Sequence, residues 1–220
     1  MLRAPARTLT VQEMRLTYTV VDAQAKFIRM KSASKKRTPS IVNLTVKRRY
    51  LTQREIERLM DCARKYGRYG HRDATMILVA YRHGLRASEV CDLQWQQIEL
   101  PEGRLHVHRV KNGIPSVHPI RGDEMRALRK LRRDYRETPT YSFPSAAGPS
   151  VHRLVRRLGE AAKMPFPIHP HMLRHACGFK LANDGHDTRA LQHYLGHKNI
   201  QHTVRYTDMA PDRFKDFWRD

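Results

Sequence analysis

Five residues between positions 171 and 206 stand out: His171, Arg174 and His175 in His171-Met-Leu-Arg174-His175, then His197 after Leu195-Gly196, then Tyr206. A second arginine, Arg86, stands far upstream in Gly84-Leu-Arg86-Ala-Ser-Glu89. This set suits phosphoryl transfer without a metal, which needs a nucleophile, cations on the non-bridging oxygens and an acid for the leaving oxygen. A guanidinium makes paired hydrogen bonds to phosphate, so Arg86 and Arg174 are candidates for a two-sided grip. A tyrosine that attacks the phosphorus retains the energy of the broken ester, and strands can then rejoin without ATP. By residue type alone, Tyr206 and Tyr194 compete for that role.

Context separates these residues from the many arginines expected on the surface of so basic a chain. Arg86 opens a helix just after a glycine that stops the previous one. His171 and Arg174 lie three apart, on one helix face. His175 is one step round and is expected to pack or hydrogen-bond structurally. Glycine at 196 would let the backbone turn toward a ligand. His197 would then donate a hydrogen bond or move a proton at neutral pH, or else cover a helix-terminal carbonyl.

Lys and Arg number 42 against 21 acids among 220 residues, a formal charge of +21. That balance points to an anionic partner, nucleic acid or a membrane surface. No apolar run approaches the roughly 18 residues of a membrane span, and the sequence carries no lipidation motif or basic amphipathic anchor, so DNA is favoured. The first residues have no apolar signal core, and their arginines follow from the basic composition. Cys62, Cys91 and Cys177 are far apart and form no CxxC pair, as in a reducing cytosol. His169, His171 and His175 cluster in the manner of zinc ligands, and His193 and His197 lie four apart. HExxH, a nearby cysteine pair and a neighbouring carboxylate are all missing, so neither metal nor cofactor is expected. Convergent acids for a two-metal nuclease are missing too.

The elements that would position these residues are mostly helical. Thr52 and Glu55 have capping-box spacing, which starts a helix running to about Tyr66. A second helix spans 71–83 and ends at Gly84, and a short third carries Ala87 to Leu93. Short strands are expected at 98–100, 105–110 and 114–120, with Asn112-Gly113 as a tight turn. Helical patterning returns at 122–136, 150–163, 170–184 and 187–194, with Gly185 as another stop. Leu16 to Val21 could form a strand, and Pro211 to Trp218 a last helix with Phe214, Phe217 and Trp218 on its apolar side. The fold class is therefore mainly α with a small antiparallel sheet. Residues 1–50 hold 12 basic and 2 acidic side chains, so residues 1–47 read as a basic, partly flexible extension touching phosphates through Lys35, Lys36, Arg37, Lys47, Arg48 and Arg49.

The segments GLRASEV, HPHMLRH and YLGHKNIQHTVRY, in that order, resemble the tyrosine recombinases, or phage integrase family, over residues 48–218. Within that family, His171 to Tyr206 looks most like the short recombinases that invert promoter segments in fimbrial phase variation. The resemblance implies the catalytic-domain fold of that family over 48–220. It implies that Arg86 and Arg174 clamp the scissile phosphate, that His171 accepts a proton or donates a hydrogen bond, and that His197 binds a phosphate oxygen. Tyr206 would attack, leaving a 3′-phosphotyrosyl link and a free 5′-hydroxyl; Tyr194, before the LGH motif, is disfavoured. The family's general-acid lysine lies in a β-hairpin turn, where Lys111 matches, with Arg109 close by. Glu89 fills the supporting acidic position.

Most of the family carry a separate N-terminal helical domain that clasps the other face of the DNA; here only about 47 residues precede the catalytic region. The basic N-terminal segment would partly substitute, adding salt-sensitive affinity and little base discrimination. Arg153, Arg156 and Arg157 are further DNA candidates, whereas the arginines of 122–136 read as a solvated face. The implied partners are a double-stranded DNA recombination site, three further copies in a synaptic tetramer joined through the C-terminal helix, and accessory DNA-bending proteins. The implied place is the bacterial cytoplasm, at the nucleoid. Inversion, integration and excision of a mobile element all stay open. Two other readings stand beside recombination: a catalytically silent DNA-binding protein on this scaffold, and a type I topoisomerase-like relaxing enzyme.

Overall fold

Thr52 caps the first helix, α1 (Gln53–Tyr66), with the reciprocal box its spacing predicts: its hydroxyl accepts from the Glu55 amide, and the Glu55 carboxylate accepts from the Thr52 amide at 2.8 Å. The computed structural model describes residues 50–110, 113–135, 140–143 and 148–208, all inside one compact unit, Arg48–Asp220. Several expectations lie outside the described residues: the strand at Leu16–Val21, the contacts of Lys35, Lys36, Arg37, Lys47, Arg48 and Arg49, the Lys111-Asn112 half of the turn, and the tail with Phe214, Phe217 and Trp218.

After α1 come α2 (Gly70–Arg82) and the short α3 (Ala87–Cys91). A three-stranded antiparallel sheet follows, β1 (Ile98–Glu99), β2 (Arg104–Val107) and β3 (Ser116–Pro119), in the order β1-β2-β3. Then come α4 (Gly122–Asp134), α5 (Gly148–Ala161), α6 (His171–Asn183), α7 (Thr188–Leu195) and α8 (Gln201–Asp208). Two helices are wrapped by the rest. Every residue of α2 from Asp73 to Ala80 is buried, and so are eight of the thirteen in α6. A helix buried on most of its faces belongs inside a helical domain rather than on its surface. Here α2 touches α1, α3, α4 and α6, and α6 touches α7 and α8. A smaller apolar cluster beside the main core is built from Cys177, Phe179, Ala182, Leu191, Leu195 and Tyr206.

Three features differ from the expected pattern. The strands are shorter, β2 stopping at Val107 instead of Val110 and β3 starting at Ser116 instead of Ile114. The Val110 amide turns from the ladder to the Glu89 carboxylate at 3.3 Å, so pairing ends where the chain binds that acid. Helix α3 ends at Cys91 instead of Leu93: the Leu93 amide turns to the Val90 carbonyl at 3.4 Å in place of the Glu89 carbonyl that a continuing helix would use, and the Leu93 carbonyl is met by the Ser142 amide at 2.8 Å. Helix α8 was not expected at all. Asn199 starts it, its side-chain oxygen accepting from the Gln201 amide and its carbonyl from the His202 amide.

Candidate active site

Arg86 sits at the N-cap of α3, and its position is fixed by Glu89, one turn on. The Glu89 carboxylate accepts from the Arg86 amide at 2.9 Å and from its guanidinium at 2.6 Å. The other face of the same carboxylate holds Arg109 Nη1 at 2.9 Å. Glu89 thus ties the start of α3 to the chain just beyond β2. Burial alone would raise its pKa; the Arg86 amide and the Arg109 charge hold it below the usual carboxylate range.

Arg109 is fully buried and gathers carbonyls from two other segments: Gly84 at 3.3 Å, His83 at 3.1 Å and Tyr194 at 2.6 Å. Sequence reading missed this role and named the residue only as a neighbour of Lys111. The signal was present in the alternation of β2, where Leu105, Val107 and Arg109 share the inward parity and are all buried.

Arg174 projects from α6 with 1% of its surface exposed. Nη1 donates to the Gly84 carbonyl at 2.5 Å and Nη2 to the Leu195 carbonyl at 2.6 Å. No carboxylate touches it among the described residues. Burial, then repulsion from Arg86 and Arg109, pulls its pKa down to about 10. Three guanidiniums thus converge near Gly84 with one carboxylate between them. Buried positive charge of this density favours an incoming anion.

His197 follows Gly196, the left-handed C-cap of α7 at φ 67°. The close approach that glycine permits is to Arg109 and Ile114: a Cβ there would meet Arg109 Cγ at 2.6 Å and the Ile114 carbonyl at 2.9 Å. The loop is braced by Gln192, whose amide donates to the carbonyls of His197 and Lys198. His197 Nδ1 lies 2.8 Å from Thr203 Oγ1, which leaves Nε2 for another partner. Gln192 and Thr203 gave no local sequence signal.

Tyr206, on α8, is only 2% exposed. Its hydroxyl lies 2.8 Å from His175 Nδ1, and its ring stands edge-on to Phe179 and parallel to His197 at 6.4 Å. Gly178 lies beneath it, where a Cβ would strike the ring at 2.8 Å. His171, exposed at the head of α6, meets the His175 ring edge-on at 4.4 Å rather than the tyrosine. Burial raises the phenol's pKa, against the pull of the Arg174 and Arg205 charges. The rival, Tyr194, donates its hydroxyl to the Arg82 carbonyl at 2.9 Å and stacks on His118, away from Tyr206.

The charges of Arg86 and Arg174 act on each other and on His171, His197 and Tyr206, so these residues share one electrostatic environment. Burial first, then those arginines, lowers His197 to about 3; partial burial and Arg174 lower His171 to about 4; burial and His171 lower His175 to about 4. All three rings are neutral at pH 7, each with one N–H and one lone pair.

A pH dependence of stability follows. Unfolded, these histidines and His118 protonate near 6.5; folded, they resist protonation until well below it, His118 until about 2. The unfolded state therefore binds more protons in that window, and stability falls as pH falls. We expect the melting temperature to drop steadily from pH 6.5 toward 4. A flat profile there would show that these rings are not buried neutral.

Among the described residues, no three His, Cys, Asp or Glu side chains are placed to hold a metal ion, and no helix is long and apolar enough to cross a membrane. Arg153, Arg156 and Arg157 are exposed on α5, where with Arg68, Tyr69 and Arg72 they line a cavity of about 570 Å³ apart from the arginine cluster. The basic side chains of α4, Arg126, Arg129, Lys130, Arg132 and Arg133, are exposed.

Residues 49–213 match the model of the phage integrase family. The chain is 44% identical over 182 residues to the Type 1 fimbriae regulatory protein FimE of Escherichia coli strain K12, covering 78% of this chain and 91% of that one. It is 40% identical over 181 residues to the regulatory protein FimB of the same strain, covering 78% and 90%. Among solved structures, the XerA recombinase superposes with a TM-score of 0.66 at 24% identity, over 76% of this chain and 63% of that one, a likeness of fold. The motifs, the mainly helical architecture with its small sheet, and these matches agree: the chain belongs to the phage integrase family, the tyrosine recombinases.

Proposed function

We propose that this site-specific DNA recombinase inverts a DNA segment, with Arg86 and Arg174 gripping the scissile phosphate and Tyr206 attacking it. The observation that carries the reading is geometric: Arg174 holds the Gly84 carbonyl, two residues before Arg86, while the Tyr206 ring rests on Gly178 of the helix that carries Arg174. The phosphate brings the negative charge that the three guanidiniums lack. His197 donates Nε2–H to one of its oxygens, and His171 donates to another. The Tyr206 oxygen forms the new bond to phosphorus as the bond to the 5′-oxygen breaks. The phenol proton leaves along the hydrogen bond to His175. Lys111, which falls between β2 and β3 in the sequence, supplies the proton to the departing 5′-oxygen. Rejoining runs the same steps backward with a 5′-hydroxyl from the partner strand.

Because Tyr206 is 2% exposed, its hydroxyl must come out of this shelter when DNA binds. Inversion, rather than integration or excision, is favoured by the similarity to the two fimbriae regulatory proteins over most of their length. Synapsis as a tetramer, docking of the C-terminal helix on a neighbour, accessory DNA-bending proteins, and DNA contacts by the basic N-terminal residues and by Arg153, Arg156 and Arg157 complete the proposal. The chain would work at the nucleoid in the cytoplasm.

The test is a suicide duplex nicked near the cleavage point, so that the released 5′-hydroxyl fragment diffuses away. A covalent adduct should accumulate, map to Tyr206, and form equally well in EDTA. Linkage at Tyr194, or loss of the adduct on chelation, would overturn the assignment.

A further inference from the structure

Behind the arginine cluster runs a second buried polar chain. Ser116 Oγ lies 2.8 Å from His118 Nε2, His118 Nδ1 lies 3.0 Å from His83 Nδ1, and His83 Nε2 lies 2.7 Å from Glu124 Oε1. His83, His118 and Glu124 are each 1% exposed. The members come from three places: His83 caps the C-terminus of α2, Ser116 and His118 belong to β3, and Glu124 lies in the first turn of α4.

The donors and acceptors can be counted. Glu124's carboxylate accepts, so His83 Nε2 must carry hydrogen. With both rings neutral, His83 Nδ1 is then an acceptor and His118 Nδ1 a donor. That leaves His118 Nε2 to accept from the Ser116 hydroxyl. A single tautomer for each ring satisfies every contact, and all the hydrogens point one way, from Ser116 to Glu124. Apolar side chains would hold a strand on a helix without the desolvation cost of four polar groups. A buried polar chain instead fixes direction and register, since any slip leaves donors unmet.

Its location gives that rigidity a use. His83 and Tyr194 each lend Arg109 a backbone carbonyl. Both rings meet His118, His83 through the hydrogen bond and Tyr194 by stacking at 3.7 Å. The segment from Arg109 to Ser116 closes the turn between β2 and β3 and contains Lys111. One end of it is anchored by Arg109 and Glu89, the other by Ser116 and His118.

We propose that Ser116, His118, His83 and Glu124 form a positioning relay that holds β3 against α2 and α4 beside the arginine cluster, and that proton delivery to the leaving 5′-oxygen by Lys111, which falls between β2 and β3 in the sequence, depends on it. The proposal rests on Lys111 being the general acid of the reaction above.

The experiment compares single-turnover cleavage of two suicide duplexes, one with the ordinary 5′-oxygen at the scissile position and one with a bridging 5′-sulfur, which departs without an acid. Lys111→Ala should slow the oxygen substrate about 100-fold or more and leave the sulfur substrate near wild type. His118→Phe keeps the ring that stacks on Tyr194 but breaks the relay. It should slow the oxygen substrate about tenfold and spare the sulfur one, raising the sulfur-to-oxygen rate ratio by the same factor. Ser116→Ala, at the half-buried end of the relay, should shift the ratio in the same direction with little effect on folding. In a Lys111→Ala background, His118→Phe should leave the ratio unchanged. Equal slowing of both substrates would show a purely structural role and overturn the proposal. So would a ratio that rises as much without Lys111 as with it. A failure of the wild type to form an adduct with either substrate would strike the recombinase reading itself, and the relay with it.

Discussion

Tyr206→Phe is expected to abolish the covalent DNA adduct entirely while leaving DNA affinity and the fold close to wild type. The loss follows from the proposed role of Tyr206, whose oxygen would form the bond to phosphorus. Folding should survive because the ring supplies most of what holds residue 206: it packs on Phe179, over Gly178 and beside His197. Removing the hydroxyl breaks one hydrogen bond, to His175, at a cost of about 1 kcal/mol. Affinity comes from guanidinium and ammonium contacts to phosphates, which the substitution does not touch. A gel-shift titration beside a denaturing gel of the suicide reaction separates the two effects. An adduct that persists in the variant would place the nucleophile elsewhere. Affinity that collapses with activity would show that the phenol belongs to the binding surface.

The second large effect is expected at Arg174, where Lys and Ala should fail for different reasons. Arg174 uses one fork to hold two carbonyls, Gly84 on the loop before α3 and Leu195 at the end of α7. An ammonium keeps the charge but cannot span both carbonyls and also present paired donors to a phosphate. Arg174→Lys should therefore fold and bind DNA, and cleave about 10²- to 10³-fold more slowly. Arg174→Ala leaves the buried Leu195 carbonyl without its donor, at about 1–3 kcal/mol, and the Gly84 carbonyl with only the longer bond from Arg109, in addition to the lost grip. It should melt at clearly lower temperature as well as being inactive. Thermal melts and single-turnover rates measured on both variants distinguish the two losses. Equal rates for Arg174→Lys and wild type would remove this residue from the phosphate grip.

What the sequence disclosed depended on whether the signal was local. The capping box at Thr52, the stops at Gly84 and Gly185, and the three-residue spacing of His171 and Arg174 are statements about one turn of backbone, and each has its counterpart in the structure. The fold class followed from the same kind of signal. Arg109 shows the limit. Its strand parity pointed inward, but a buried arginine is tolerable only with Glu89 at its side, 20 positions away. The pairing of His83 with His118 and Glu124 spans 35 and 41 positions, and no periodicity reports it. Helix α8 was illegible because only Thr203 and Tyr206 are buried along it. Its stability comes from the α6 and α7 surfaces it covers rather than from its own pattern. The choice between Tyr206 and Tyr194 rested on family resemblance alone; the structure adds that the Tyr194 hydroxyl is engaged by a backbone carbonyl on α2.

Helix α6 carries Arg174 and, one turn later, the bare surface of Gly178 against which the Tyr206 ring rests. The phenol that would attack and the cation that would steady its target thus both lean on a single rod while the site is at rest. Until the ring leaves that support the would-be nucleophile stays shelved, 2% exposed, which would keep an enzyme that cuts DNA harmless between encounters.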